Sequence, residues 1–103
     1  FWINGIETCI FGRKSKATFN EHYKNCVWEF PSGKRTFHPT QKPLALFEYL
    51  IKTSSNEGDL VFDPFSGSGT TAVASKNLNR KYFCIEQDEN YVKQSEIRVL
   101  GNK

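Results

Sequence analysis

The sequence predicts an α/β fold built on a βαβα unit with two parallel strands. Three observations carry the prediction. The runs "LVF" (Leu60 to Phe62) and "YFCIE" (Tyr82 to Glu86) are apolar over lengths too short for helices, and read as buried strands. Between them, "SGSGTTAVASKNL" breaks at two glycines and continues as a small-residue helix. After Glu86, "DENYVKQSEIRVL" is periodic and long enough for a closing helix. Strand, helix and strand in this order demand a parallel pair with a right-handed crossover, and such sheets hold ligands beyond the carboxyl ends of their strands.

Each element has its own signal. "IETCIF" (Ile6 to Phe11) reads as a strand stopped at Gly12. The segment from Gly12 to Arg35 is basic and aromatic without a clean period. It turns at Pro31-Ser32-Gly33 and reads as loop with a short strand near Cys26 to Phe30. "FHPTQKP" is a rigid link containing two prolines. Pro43 suits the first turn of a helix, where its missing N–H costs nothing. Leu44, Phe47, Leu50 and Ile51 then recur at helical spacing, which predicts a helix over 43–53. Asn56 to Asp59 form a turn. In the helix after the glycines, Ala72, Val73 and Ala74 are small enough to pack closely on a sheet, and Asn79 is its stop. Asp88 is the candidate cap of the last helix, whose Tyr91, Val92, Ser95 and Val99 lie along one face.

Composition narrows the class. With 103 residues, 38% hydrophobic and 24% charged, the chain is one small, soluble domain at most. No apolar run approaches the ~20 residues that span a bilayer, so no membrane partner is expected. The three cysteines (Cys9, Cys26 and Cys84) are odd in number and form no CxxC, which argues against a disulfide framework and a zinc site. A reducing, cytoplasmic setting is expected. The chain lacks methionine and opens on "FWINGIETCIF", so it is expected to be a piece of a longer protein. Residues 1–52 carry eight Lys and Arg against four Glu, while the second half is slightly acidic. A basic half can meet nucleic acid phosphates, although an ordinary solvated surface explains the same charges.

The glycine turn carries the chemistry. Gly67-Ser68-Gly69-Thr70-Thr71-Ala72 fits G-x-G-x-x-G/A: the first Gly permits a sharp turn, the second lets a ligand approach the backbone, and Ala72 allows tight helix–strand packing. Glu86 follows Gly67 by 19 positions, close to the roughly 20 expected of a carboxylate that takes ribose hydroxyls. The alternative is a structural glycine turn beside a surface Glu. No Lys follows the glycines, so this is not a Walker A loop. A dinucleotide and a phosphate-free nucleoside both remain open. Asp63 at the mouth of the loop would repel a phosphate and suits a cation, and Phe65 offers a ring face to a cation or an adenine. Both features lean toward S-adenosylmethionine.

These residues also carry a resemblance. "HPTQKP", then "VFDPFSGSGTTAVA", then "NRKYFCIEQDENYV" together resemble the carboxyl-terminal portion of the DNA methyltransferases that modify adenine N6 or cytosine N4, of the permuted (beta-type) order. The likeness runs from about Glu7 to Leu100. It implies a partial Rossmann-like S-adenosylmethionine-dependent methyltransferase fold, in which Ile6 to Phe11 would be an antiparallel edge strand. Residues 1–37 would be edge strand and basic loop, and 38–103 the cofactor-binding unit. It also implies that Asp63, Pro64, Phe65, Ser66, Gly67, Ser68, Gly69 and Thr70 form the cofactor loop, with Glu86 and Gln87 at the ribose. His38, Pro39, Thr40, Gln41, Lys42 and Pro43 would close over the methionine end. By themselves, His38 and Lys42 read as a loop leading into a helix with a solvated Lys.

The family's catalytic signature, [DNS]-P-P-[YFW], is absent, since the sequence holds no Pro-Pro pair. In the permuted order the signature precedes the cofactor motifs, so no catalytic residue is assigned. The expected function is the cofactor-binding part of a bacterial or phage DNA methyltransferase, inactive alone, with adenine ahead of cytosine as its base. The expected partners are double-stranded DNA and an upstream segment or chain carrying the signature. The alternatives are a non-enzymatic split-gene remnant or DNA-binding subunit, and a dinucleotide domain of an oxidoreductase.

Overall fold

The computed structural model describes residues 9–20 and 43–101. Pro43, held extended by its ring at φ −63° and ψ 131°, precedes helix α1 (Leu44–Ser54) as its N-cap. It therefore stands one position ahead of the first helical turn, and the helix runs one residue beyond the predicted 53. Asn20 closes the far end: its backbone N–H donates to Thr53 O, and its side-chain amide to Lys52 O and Ser55 O. Terminal carbonyls that no helical N–H can reach are satisfied in this way.

A turn at Asn56–Asp59, with Gly58 at φ +90°, delivers the chain to strand β1 (Leu60–Asp63). The glycine loop follows, then helix α2 (Thr70–Asn77). Asn79, at φ +63°, ends it in the left-handed conformation that asparagine tolerates better than most residues. Strand β2 (Lys81–Cys84) and helix α3 (Glu89–Gly101) complete the order. Asp88 caps α3, its Oδ1 accepting from the N–H groups of Asn90 at 2.8 Å and Tyr91 at 3.3 Å.

The strands pair in parallel, Leu60 opposite Lys81 through Asp63 opposite Cys84, with α2 as the crossover. The pairing continues past both strands, because Ile85 N donates to Asp63 O and Ser66 N to Ile85 O, each at 2.9 Å. The βαβα reading therefore holds, and the Asp63 and Glu86 ends lie on one sheet edge.

The core sits on the α2 side. Ala72, Val73 and Val99 form its center, with Leu44 and Cys84 packed against it. The small α2 residues lie close to the sheet, and Ala74 is fully buried. Arg80 binds the layers together from the turn, donating to Ser55 Oγ, Ser55 O and Leu78 O.

Two expectations need correction. Both strands read as buried, yet Leu60, Phe62 and Phe83 are 63%, 55% and 57% exposed. Side chains alternate across a strand, so only the face shared by Val61, Asp63 and Cys84 meets α2. On the other face, the rings of Phe62 and Phe83 stack on each other at 5.6 Å, with no covering layer among the described residues. The antiparallel edge strand is not formed by Cys9, Ile10 and Phe11, which are irregular and exposed. An extended segment needs a partner for its backbone groups, and none pairs with it among the described residues. The rest of that prediction, and the short strand near Cys26 to Phe30, lie outside the described residues.

Candidate functional site

The loop from Asp63 to Thr70 is held at both ends by carboxylates. Asp63, the last residue of β1, turns the chain back on itself: its Oδ1 accepts from Phe65 N–H at 2.9 Å. Its Oδ2 accepts from the Thr71 hydroxyl at 2.5 Å, which ties the strand end to the first turn of α2. Glu86, just beyond β2, reaches across. Its Oε1 accepts from Gly67 N–H at 2.8 Å and its Oε2 from Asp88 N–H at 2.9 Å. One half-buried side chain thus joins the glycine loop to the corner that starts α3.

The two glycines are needed for different reasons. Gly67 has φ +56° and Gly69 φ +89°, both in the left-handed region. At Gly69 there is also no room, because an added Cβ would stand 2.5 Å from Ser95 Cβ and 3.2 Å from Ser95 Cα. Sequence reasoning assigned that space to a ligand, but its neighbor is α3. The loop's buried side is gripped by the same helix: Arg98 Nη1 lies 3.2 Å from Ser68 O, Ser68 Oγ and Thr70 Oγ1.

Pro64 and Phe65 form the turn after β1, with the Phe65 ring 88% exposed. Ser66 is half-buried at the loop mouth, while Ser68, Gly69 and Thr70 are buried. Gln87 is exposed in the bend after Glu86. Asp63, Gly67 and Glu86 are therefore brought together at the carboxyl ends of the parallel strands. Pro43 stands just ahead of α1, beside Leu44, which packs against the core. His38, Pro39, Thr40, Gln41 and Lys42 lie outside the described residues.

Thr71, Asp88, Ser95 and Arg98 also shape the loop, and sequence reasoning gave them no such role. Thr71 had a signal in its place directly after Gly-Thr. Arg98 had none, since the apolar stripe of α3 passes beside it. Among the described residues, no group of three His, Cys, Asp or Glu could hold a metal ion, and no helix is long and apolar enough to cross a membrane.

Below the loop, burial and then the charge of Asp63 push the Cys84 thiol from 9.0 up to about 11. The folded state keeps that proton at a pH where the unfolded chain has lost it. The stabilization this supplies is whole below the unfolded value and drains away as pH rises through the folded one. Urea midpoints of the parent are expected to fall between about pH 9 and 11, and less steeply in Cys84→Ala. Equal slopes would show that the thiol does not titrate there.

A family model described as DNA methylase, that of the N6/N4 methyltransferases, matches residues 10–97. The chain belongs to this DNA methylase family. Among its relatives, the type II methyltransferase M.HpaI of Haemophilus parainfluenzae is 46% identical over 78 residues, covering 71% of this methylase chain and 25% of M.HpaI. The type II methyltransferase M2.DpnII of Streptococcus pneumoniae is 47% identical over 117 residues, covering 96% and 44%. The chain thus spans between a quarter and somewhat under half the length of these relatives. The crystal structure of an M1.HpyAVI–SAM complex is similar to it with a TM-score of 0.71 and 41% identity, over 84% of this chain and 45% of that one. The α/β fold of the methylase chain is accordingly a partial methyltransferase fold.

Proposed function

We propose that this chain is the S-adenosylmethionine-binding part of a site-specific DNA methyltransferase acting on the exocyclic amino group of adenine (N6) or cytosine (N4). The observation that carries the proposal is the pair of carboxylates, Asp63 and Glu86, on neighboring strand ends with Gly67 between them.

The residues present fit that cofactor. Each oxygen of Asp63 and Glu86 accepts one internal hydrogen bond, which leaves lone pairs for a ligand. Glu86 suits ribose hydroxyls and Asp63 a cationic ligand, while a phosphate at Asp63 would be repelled. The uncovered Phe65 ring offers a flat apolar face to an adenine or a cation. When bound, the cofactor supplies an electrophilic methyl group on a sulfonium. The chain's residues orient it and hold the loop. We assign His38, Thr40, Gln41, Lys42 and Pro43 to closing over the methionine end, with Ser66, Ser68, Gly69 and Thr70 shaping the loop and Gln87 beside the ribose.

The acceptor half requires oxygen acceptors for the target amino group and a stack for the flipped base, which a [DNS]-P-P-[YFW] segment supplies. Among the described residues, no layer covers the Leu60, Phe62 and Phe83 face and no strand pairs with the outer edges of β1 and β2, which supports a role for such a segment, because parallel sheets are covered on both faces. Double-stranded DNA in a bacterial or phage-infected cytoplasm is the substrate of the assembled enzyme.

The test has two arms. Calorimetric titration of the 103-residue chain should show binding of S-adenosylmethionine and none of a nicotinamide dinucleotide. A radiolabeled transfer assay on unmethylated bacterial DNA should show no label with the chain alone. Label should appear on adenine or cytosine once a segment bearing the signature is added. Dinucleotide binding in place of S-adenosylmethionine would overturn the cofactor reading, and label with the chain alone would place the acceptor site within it.

A further inference from the structure

The glycine loop is gripped from behind by α3. Ser95 and Arg98 stand one turn apart on that helix, and both meet the loop at Ser68–Thr70. Ser95 occupies the space where a Gly69 side chain would lie. Arg98 directs a single nitrogen, Nη1, at three oxygens, each 3.2 Å away: Ser68 O, Ser68 Oγ and Thr70 Oγ1. Ser68 and Thr70 are only 3% and 4% exposed, so these bonds lie inside the protein. All three oxygens are neutral. Burial pulls the guanidinium below its ordinary pKa, so the cation sits where solvent does not fully compensate it. What it gains there is a fixed loop. A donor withdrawn from Ser68 and Thr70 would leave three buried oxygens without it.

We propose that Arg98 is a positioning residue of the cofactor site: from the buried side it holds Ser68–Thr70 in the geometry that the carboxylates hold from the ligand side. The inference rests on the cofactor reading above for its consequence, but not for its geometry. Asp63 and Glu86 fix the loop at Phe65, Gly67 and Thr71. Arg98 fixes the stretch between Gly67 and Thr71, which the carboxylates leave free. Because all three contacts converge on one nitrogen, a lysine ammonium, with three donors of its own, can replace them. A methionine keeps the stem and supplies no donor.

Arg98→Met and Arg98→Lys should be compared with the parent by two measurements. The first needs no ligand. Amide hydrogen exchange at Gly67–Thr71 is expected to be about tenfold faster in Arg98→Met, with α1 amides unchanged, and close to the parent in Arg98→Lys. The second is the Kd for S-adenosylmethionine, expected to weaken by about 10- to 100-fold in Arg98→Met, as for the loss of bonds from a charged donor. Arg98→Lys should recover most of that loss. Loop exchange at the parent rate in Arg98→Met overturns the proposal, as does an unchanged Kd. Exchange that rises equally in α1 shows a general loss of stability and also overturns it. If the parent binds no S-adenosylmethionine, the cofactor reading fails, and the exchange result alone decides whether Arg98 holds the loop.

Discussion

Gly69→Ala is expected to weaken S-adenosylmethionine binding by at least about 100-fold, and Ser95→Gly in the same chain to restore part of it. Two costs add at this position. At φ +89° a side chain is strained wherever its Cβ points, on the order of 1–2 kcal/mol. The Cβ would also stand 2.5 Å from Ser95 Cβ and 3.2 Å from Ser95 Cα. The nearer atom belongs to a short side chain fixed on a helix, and the farther one to the helix backbone. Neither can swing aside as the end of a lysine could. Either α3 moves outward, carrying Arg98 away from Ser68 and Thr70, or the loop moves toward the ligand side and disturbs the bond from Gly67 to Glu86. Both routes damage the site. Removing Ser95 Cβ relieves the closer contact and leaves the strain at Gly69, so the recovery is partial. Calorimetric titration of the two variants beside the parent decides the matter. If Gly69 were required only for the approach of a ligand, Ser95→Gly would recover nothing.

The same position shows what the sequence discloses and what it conceals. The spacing of Gly67, Gly69 and Ala72, and of Glu86 behind them, was legible because a strand–turn–helix–strand unit repeats its local requirements wherever it occurs. A sharp turn needs glycine, a close crossover needs small residues, and the next strand end comes back to the first at a distance set by helix length. Parallel pairing followed from the same order of elements. The reason for Gly69 was not legible, since it depends on which helix lies behind the loop, and Ser95 and Gly69 are far apart in the chain. Arg98 was hidden for a related reason: one basic residue in the last turn of a helix is ordinarily a solvated complement to the helix dipole.

Strand burial was misread on another ground. An apolar run reports the surroundings a strand is suited to, whereas exposure reports what covers it. Among the described residues, only the α2 side is covered. Leu60, Phe62 and Phe83 have the composition of an interior face without the covering layer. That the fold is partial was implied by the family resemblance, not by the apolar runs themselves.

Glu86→Gln is expected to damage cofactor binding nearly as much as Glu86→Ala, by about 10- to 100-fold in Kd. From spacing alone, a carboxylate at the ribose should be better replaced by glutamine than by alanine, because glutamine keeps one acceptor oxygen and the length of the side chain. The geometry all but removes that difference. Both Glu86 oxygens already accept backbone N–H groups, Oε1 from Gly67 at 2.8 Å and Oε2 from Asp88 at 2.9 Å. A glutamine has one oxygen and one NH₂ group, so in either orientation one backbone donor faces another donor. If the oxygen stays on Gly67, the Asp88 corner is pushed away, and the start of α3, which carries Ser95 and Arg98, shifts with it. If the oxygen turns to Asp88, Gly67 N–H loses its partner and the loop mouth opens. Alanine loses both bonds but leaves space for water to reach the two N–H groups, which softens its own penalty. The exchange also replaces charge-assisted bonds with neutral ones at roughly half the strength. Titrating S-adenosylmethionine into the parent, Glu86→Gln and Glu86→Ala at one salt concentration separates the two accounts. A glutamine variant that binds within about threefold of the parent would mean that Glu86 serves the ligand through one oxygen and that its bonds to Gly67 and Asp88 do not set the loop.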